Sequence, residues 1–357
     1  MLQWRAKEAL LLNKPKIVII GAGIVGASMA YHLAKRNQDV IVIEQHSAAA
    51  QEVTEKSFAW IHTTHEVAPP YQHLYDSALE EYHRLQQELP ELNIHWNGAL
   101  TWDISSPVKQ HRFQKLNRTQ LMELEPNLEE YPDEAFFASE EGAVNPIEIT
   151  KLLLGKAQEY GAKVLLSTRV TGLEKDASQL IGVHTSNGFV ESDIVVLAAG
   201  TSILELCSPL EIHVPVTSSP SILIQMKTSH KYIDTLISNT KFEARQLTDH
   251  ILLAAEDYID DSLENGPEAV GKRAFDTLRH SLKDGDQIEL ESIKVGLRPM
   301  PEDGYPIVGF DNRIKGLYLA SMHAAITLAP LIARLAANEI INQQSESQLA
   351  PCRLSRF

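Results

Sequence analysis

Three glycines and one glutamate carry the clearest chemistry in this chain. Gly21, Gly23 and Gly26 follow the apolar run Lys16-Ile17-Val18-Ile19-Ile20, and Glu44 closes a second run, Val40-Ile41-Val42-Ile43. Short β-branched runs read as strands buried on both faces of a parallel sheet. Gly21 permits the tight turn from strand to helix, Gly23 lets a pyrophosphate approach the backbone, and Gly26 lets helix and strand pack closely. Ile24 and Val25 open a helix running to about Arg36, whose N–H groups and positive dipole end face that phosphate. Glu44 stands eighteen residues past Gly26, where an acid accepts the hydroxyls of a ribose. These residues imply an adenine dinucleotide. They do not distinguish FAD from NAD, although an acid at 44 argues against the 2′-phosphate of NADP.

Other elements must hold that turn in place. The first βαβ unit takes residues 15–45, after a short helical or frayed extension over 1–14. Apolar residues recur at 71, 74, 75, 78, 79, 82 and 85, the stripe of an amphipathic helix. Tyr71, Tyr75 and Tyr82 therefore read as core rather than as a stacking platform. Asn145 suits a helix N-cap and Pro146 its first position, with Gly161 at the end. Strands follow at 163–166, 169–173 and 179–185, then a hairpin turn at Ser186-Asn187-Gly188. Asp193–Ala198 reads as another buried strand. Residues 215–293 are strands and polar connections with one helix near 272–283. The chain closes with a strand at 316–320 and a helix over 328–343. Sheet-forming and helical stretches alternate, so two discontinuous domains are expected.

Bulk properties set limits. A chain of 357 residues is long enough for two cores. A formal net charge of −15 opposes contact with nucleic acid or an anionic membrane surface. Acidic residues gather at Glu123, Glu125, Glu129, Glu130, Asp133, Glu134, Glu140 and Glu141, which reads as a solvated face, with a docking surface for a basic partner as the alternative. Cys207 and Cys352 are the only cysteines and suggest a reducing compartment. The apolar stretch 17–34 contains the glycine turn and has no cleavage site after it, so no integral membrane segment is expected and the location is read as cytoplasmic. The Asn117-Arg118-Thr119 sequon carries little meaning in that setting. His62, His65 and Glu66 have a spacing that a metal site uses, but no further ligand completes it, so no metal is expected.

Six segments in order give the chain a resemblance. They are Gly21–Glu44, Ser57-Phe58-Ala59-Trp60-Ile61, Gly142-Ala143-Val144-Asn145-Pro146, Val195–Gly200, Gly296-Leu297-Arg298-Pro299 with Asp303–Gly309, and His323 with Thr327-Leu328-Ala329-Pro330. The chain resembles the FAD-dependent D-amino-acid oxidase superfamily, in particular its glycine oxidase, sarcosine oxidase and D-amino-acid dehydrogenase branches. The resemblance implies an α/β fold: a Rossmann-like FAD-binding domain from 15–65, 141–205 and 294–345, with a mostly antiparallel β plus α substrate domain from 66–140 and 206–293. It implies oxidation of the C–N bond of a small amino acid or secondary amine, by hydride transfer to flavin N5 and hydrolysis of the imine. The acceptor is O2 or a quinone or carrier; homo- or hetero-oligomerisation is left open. Arg298 corresponds to the guanidinium that pairs with the substrate carboxylate. Gly309 and the 323–330 segment, including His323, Ala325 and Thr327, correspond to the loop that brings the last helix to the flavin pyrimidine. Val170 matches the adenine contact; Ala199 and Gly200 match the turn beside the phosphates and ribose, and Ser57 belongs to the flavin loop.

The chain departs from that pattern in places. Gln51–Lys56 replaces a small-residue loop, Pro220-Ser221 a Pro-Gly, and Ala325 a glycine, each removing a permissive backbone position. Phe242 stands where relatives place a substrate-clamping tyrosine, with Arg245 and Tyr258 as polar alternatives. A non-catalytic or degenerate FAD-fold subunit with weak or lost flavin binding is therefore the alternative reading. An NAD-dependent dehydrogenase is disfavoured, because the later segments have no role in it.

Overall fold

The computed structural model describes residues 14–63, 67–103, 112–258 and 260–357. The expected extension before residue 14, and His65 and Glu66, lie outside them. The chain divides into two compact units, one of Met1–Gln51, Ile147–Ser218 and Pro299–Phe357, the other of Glu52–Pro146 and Ser219–Arg298.

In the first unit, five strands run parallel in the order Leu317–Ser321, Ile194–Leu197, Lys16–Ile20, Asp39–Ile43 and Lys163–Leu165. Ile307–Phe310 pairs antiparallel at one edge. The register sets Ile17 against both Ile194 and Val40, and Ile17, Val18 and Ile19 are wholly buried. Removing both faces of these strands from water explains their lack of polar alternation. Helix Ile24–Lys35 packs on helix Ala325–Asn342. A three-stranded antiparallel meander, Val170–Asp176, Gln179–Thr185 and Gly188–Glu191, completes the unit.

The second unit holds most of an eight-stranded sheet, whose first four members are Glu289–Pro301, Val216–Lys227, Ile251–Glu256 and Glu243–Thr248. Phe242, Ala244, Leu252 and Ile224 pack on one face with Phe275 and Leu278 of helix Pro267–His280. Leu223 and Leu253 pack on the other with Phe58, Ala99 and Ala143. Helix Gln72–Glu88 buries Leu74, Tyr75, Ala78, Leu79, Tyr82 and Leu85, as its stripe predicts, and Tyr71 precedes it, also buried.

The contact-based division departs from the sequence-based one. Residues 52–63 and 141–146 group with the second unit because Trp60–Ile61 and Ile94–His95 both pair with Gly142–Val144. Residues 294–298 also fall there, as part of the Glu289–Pro301 strand. Residues 206–218 fall in the first unit, since Leu206, Cys207, Ile212 and Val214 share a core with Val18, Ile20 and Leu197. The last helix starts at Ala325, a turn earlier than its apolar stripe suggests, which places Pro330 inside it. The acidic cluster is not wholly a solvated face. Glu125 and Glu141 are buried: Glu125 accepts the N–H groups of Asp234 and Thr235 and the Thr235 hydroxyl, and Glu141 accepts Trp60 Nε1–H and Thr63 N–H.

A β-carbon on Gly26 would collide with the Gly21 carbonyl. Backbone cannot yield there as a side-chain tip can. Gly26→Ala is expected to destabilise the protein by about 2–4 kcal/mol, read as a lower denaturant midpoint; an unchanged midpoint would contradict this packing.

Candidate functional site

In the first unit, the expected residues converge at the C-terminal edge of the parallel sheet. Gly21 takes φ +103°, and a side chain there would strike the Ala198 carbonyl. Two constraints, left-handed φ and a neighbouring strand end, thus require glycine at one position. Gly23 is the N-cap of Ile24–Lys35, with no side-chain cap and no acid in the first turn. An uncapped helix start is an anion site by geometry and dipole. Ile24, Val25 and Gly26 form that first turn.

Glu44 leaves the end of the adjacent strand and is only 8% exposed. Its Oε2 accepts Ala22 N–H at 2.8 Å and its Oε1 accepts His46 N–H at 2.9 Å. Each carboxylate oxygen retains a lone pair for a further donor. A ribose diol beside a pyrophosphate fits this set of donors and acceptors.

Two neighbouring strand ends add to the same edge. Ala199 lies in contact with Gly21, and Gly200 takes φ +56° with open space at its α-carbon. Val170, half-buried, begins the meander shortly after Thr168, whose N–H donates to the Glu44 carbonyl. Beyond Leu317–Ser321, His323 and Ala324 lead into the last helix, which also starts without a side-chain cap or an acid. The left-handed residue there is Ala324, φ +56°, not Ala325. Losing glycine at 325 therefore costs no backbone strain, while Ala324 stores about 1–2 kcal/mol. Thr327 is buried in the helix.

Gly309 has a different setting from the expected loop. It lies within strand Ile307–Phe310 at φ +140°, and a side chain would collide with the Arg353 guanidinium. The positive φ, which side chains rarely adopt, accounts for glycine at this position more firmly than the flexible Arg353 tip does.

Ser57 belongs to the second unit, where its Oγ accepts Ala59 N–H at 3.1 Å. Arg298 is already engaged. Its Nη2 pairs with Asp257 Oδ1 at 2.9 Å and donates to Ser219 Oγ at 2.9 Å. Phe242 faces the helix-covered core, edge-on to Trp102. Glu243 and Arg245 point to the opposite face, as alternation along a strand requires; the register sets them against Ala255 and Leu253. Burial, reinforced by Glu256 and Asp257 and offset by Arg298, raises the Glu243 carboxyl to about 7. Sequence reasoning did not single out Glu243 or Asp257, although Phe242-Glu243-Ala244-Arg245 already carried the alternation.

Among the described residues, no three His, Cys, Asp or Glu side chains converge on a metal-sized site. No helix among them is long and apolar enough to cross a membrane.

Comparison with known proteins gives the family and the fold. The family model described as FAD dependent oxidoreductase matches residues 16–339. The chain is 21% identical to a D-amino acid dehydrogenase of Rhizobium rhizogenes, over 96% of this chain and 100% of that one. It is 23% identical to a glycine oxidase of Geobacillus kaustophilus, over 97% and 98%. The crystal structure of glycine oxidase from Geobacillus kaustophilus superposes with a TM-score of 0.84, covering 96% of this chain and 99% of that one at 20% identity, which shows the shared fold: a Rossmann-like FAD-binding domain with a second domain.

Glu243 yields a test of the second unit's electrostatics. A carboxyl raised from 4.5 to about 7 favours the folded state fully below pH 4.5, and that contribution disappears as pH rises through 7. The change is at most about 3 kcal/mol. Urea unfolding at pH 5 and pH 8 is expected to show a smaller loss of stability in Glu243→Gln than in the wild type. Equal pH slopes would remove Glu243 from this role.

Proposed function

The chain belongs to the FAD dependent oxidoreductase family, and from that premise we propose that it oxidises the C–N bond of a small amino acid or secondary amine. FAD, when bound, supplies the two-electron acceptor, taking hydride at N5 and leaving an imine for water to hydrolyse. The observation that carries the proposal is the Glu44 carboxylate docked on Ala22 N–H beside an uncapped helix start. Gly21, Gly23, Ile24, Val25 and Gly26 hold the pyrophosphate, and Glu44 holds the ribose. Val170 backs the adenine, with Ala199 and Gly200 at the phosphate and ribose and Ser57 in the flavin loop. The start of the last helix, with His323, Ala325 and Thr327, stabilises negative charge on the pyrimidine end of reduced flavin. Arg298 binds the substrate carboxylate in place of Asp257.

The names of the relatives, a glycine oxidase and a D-amino acid dehydrogenase, support an amino-acid substrate and leave O2 and a quinone or carrier as alternative acceptors. A cytoplasmic location belongs to the same proposal, supported by two free, buried thiols that burial raises to about 12. One observation favours a degenerate subunit instead: Arg298 is already neutralised by Asp257. Anaerobic mixing of the flavin-loaded protein with glycine, sarcosine, proline and D-amino acids decides between them. Bleaching of the flavin absorbance by one of these supports an enzyme; an unbleached flavin throughout supports the subunit. Readmitting O2 and then a quinone identifies the acceptor.

Arg298→Ala is expected to raise KM for carboxylated substrates at least tenfold, by loss of a charge-assisted pair of about 1.5–3 kcal/mol, while FAD stays bound. Unchanged steady-state kinetics would remove Arg298 from the site. Glu44→Ala is expected to lower the flavin bound per chain after dialysis; equal absorbance ratios in variant and parent would contradict the ribose contact.

A further inference from the structure

Arg245 is a charge without a counter-charge. Its side chain is 2% exposed in a cluster lined by Phe58, Leu223 and Leu253. Nε donates to the Phe58 carbonyl and Nη2 to the Val144 carbonyl, both neutral acceptors. Its guanidinium lies 5.6 Å from the centroid of the Phe58 ring. Among the described residues no carboxylate pairs with it, and burial alone, opposed by no acid, pulls the guanidinium down to about 10. Three buried acids of this unit, by contrast, have partners. Glu81 pairs with Arg84, Glu125 takes three donors, and Glu141 takes two.

An isolated buried charge is costly unless an opposite charge arrives. Two backbone carbonyls fix the plane of the guanidinium and use two of its five N–H groups. The rest of a planar fork suits a carboxylate. Arg245 shares a sheet face with Leu253 and Leu223. Ser219, which Arg298 Nη2 touches, lies four residues before Leu223, hence on that face by the strand's period of two. The strands of Arg298 and Arg245 are three spacings apart, about 14 Å across the sheet, and the register sets Arg245 level with Gln225, six residues along the strand from Ser219; the Arg298 guanidinium narrows that gap by reaching Asp257, at the end of the intervening strand.

We propose that Arg245 is a specificity-determining residue that receives a second acid group, so that the preferred substrate is an amino acid with a carboxylate on its side chain or nitrogen substituent. This rests on the amino-acid reading above, in which Arg298 takes the first carboxylate.

The test uses the flavin-loaded full chain and two inert probes, glutarate and butyrate, followed by perturbation of the flavin absorbance and by thermal shift. The wild type is expected to bind glutarate at least tenfold more tightly than butyrate. Arg245→Met is expected to bring the two affinities within threefold by weakening glutarate, with FAD content unchanged. If that variant does not fold, Arg245→Lys, which keeps charge but loses the fork, is expected to reduce the preference at least threefold. Equal affinities in the wild type, an unchanged preference in the variants, or loss of FAD from Arg245→Met would each overturn the inference. Bleaching by a panel of glycine, alanine, aspartate, glutamate and iminodiacetate separates this from the broader reading. Bleaching without preference for the acidic compounds sinks the inference alone. Glutarate preference with no bleaching by any amino acid sinks the oxidation reading and leaves the acid-binding site standing.

Discussion

The carbonyl of Ala198 occupies the space where a side chain at residue 21 would stand. This contact ties the end of one parallel strand to the turn that leaves the next. The turn in turn sets the helix start at Gly23, and Glu44 clamps it from the third strand through Ala22 N–H. Three adjacent strand ends thereby bring a helix start, a buried carboxylate and a small-residue floor to one edge, the parts that the proposed reading assigns to pyrophosphate and ribose. Ligands of open α/β sheets bind at such carboxyl ends.

The second unit follows a different economy of charge. Its sheet carries Arg298 beside Asp257 at one side and, further along, Arg245, which pairs with no carboxylate among the described residues. Burial, reinforced by the nearby Glu256 and Asp257, is why the Glu243 carboxyl is raised. A face with one satisfied and one unsatisfied guanidinium is polar in a directional sense.

What was legible in the sequence depended on how local the cause was. The turn at Gly21–Gly26 and the acid at Glu44 were readable because a continuous β-branched run, glycine spacing and a terminal acid all act within thirty residues. Gly309 was not, because nothing in its own segment announces the positive φ that the backbone takes there. The two buried acids of the Glu123–Glu141 cluster were read as solvated because their donors sit on Thr63, Asp234 and Thr235. The three-stranded sheet that moves residues 52–63 and 141–146 into the second unit joins distant segments too, beyond any local pattern. Phe242, noted only as standing near the place of a tyrosine, packs in the helix-covered core. Simple alternation along its strand turns it away from Arg245.

The account stands on the first unit's strand ends holding FAD, and calorimetric titration of flavin-free protein tests that most directly. One FAD per chain should bind with a dissociation constant below about 1 μM, near −8 kcal/mol, with NAD unable to displace it. Heat no greater than dilution on adding FAD, or displacement by NAD, would contradict it.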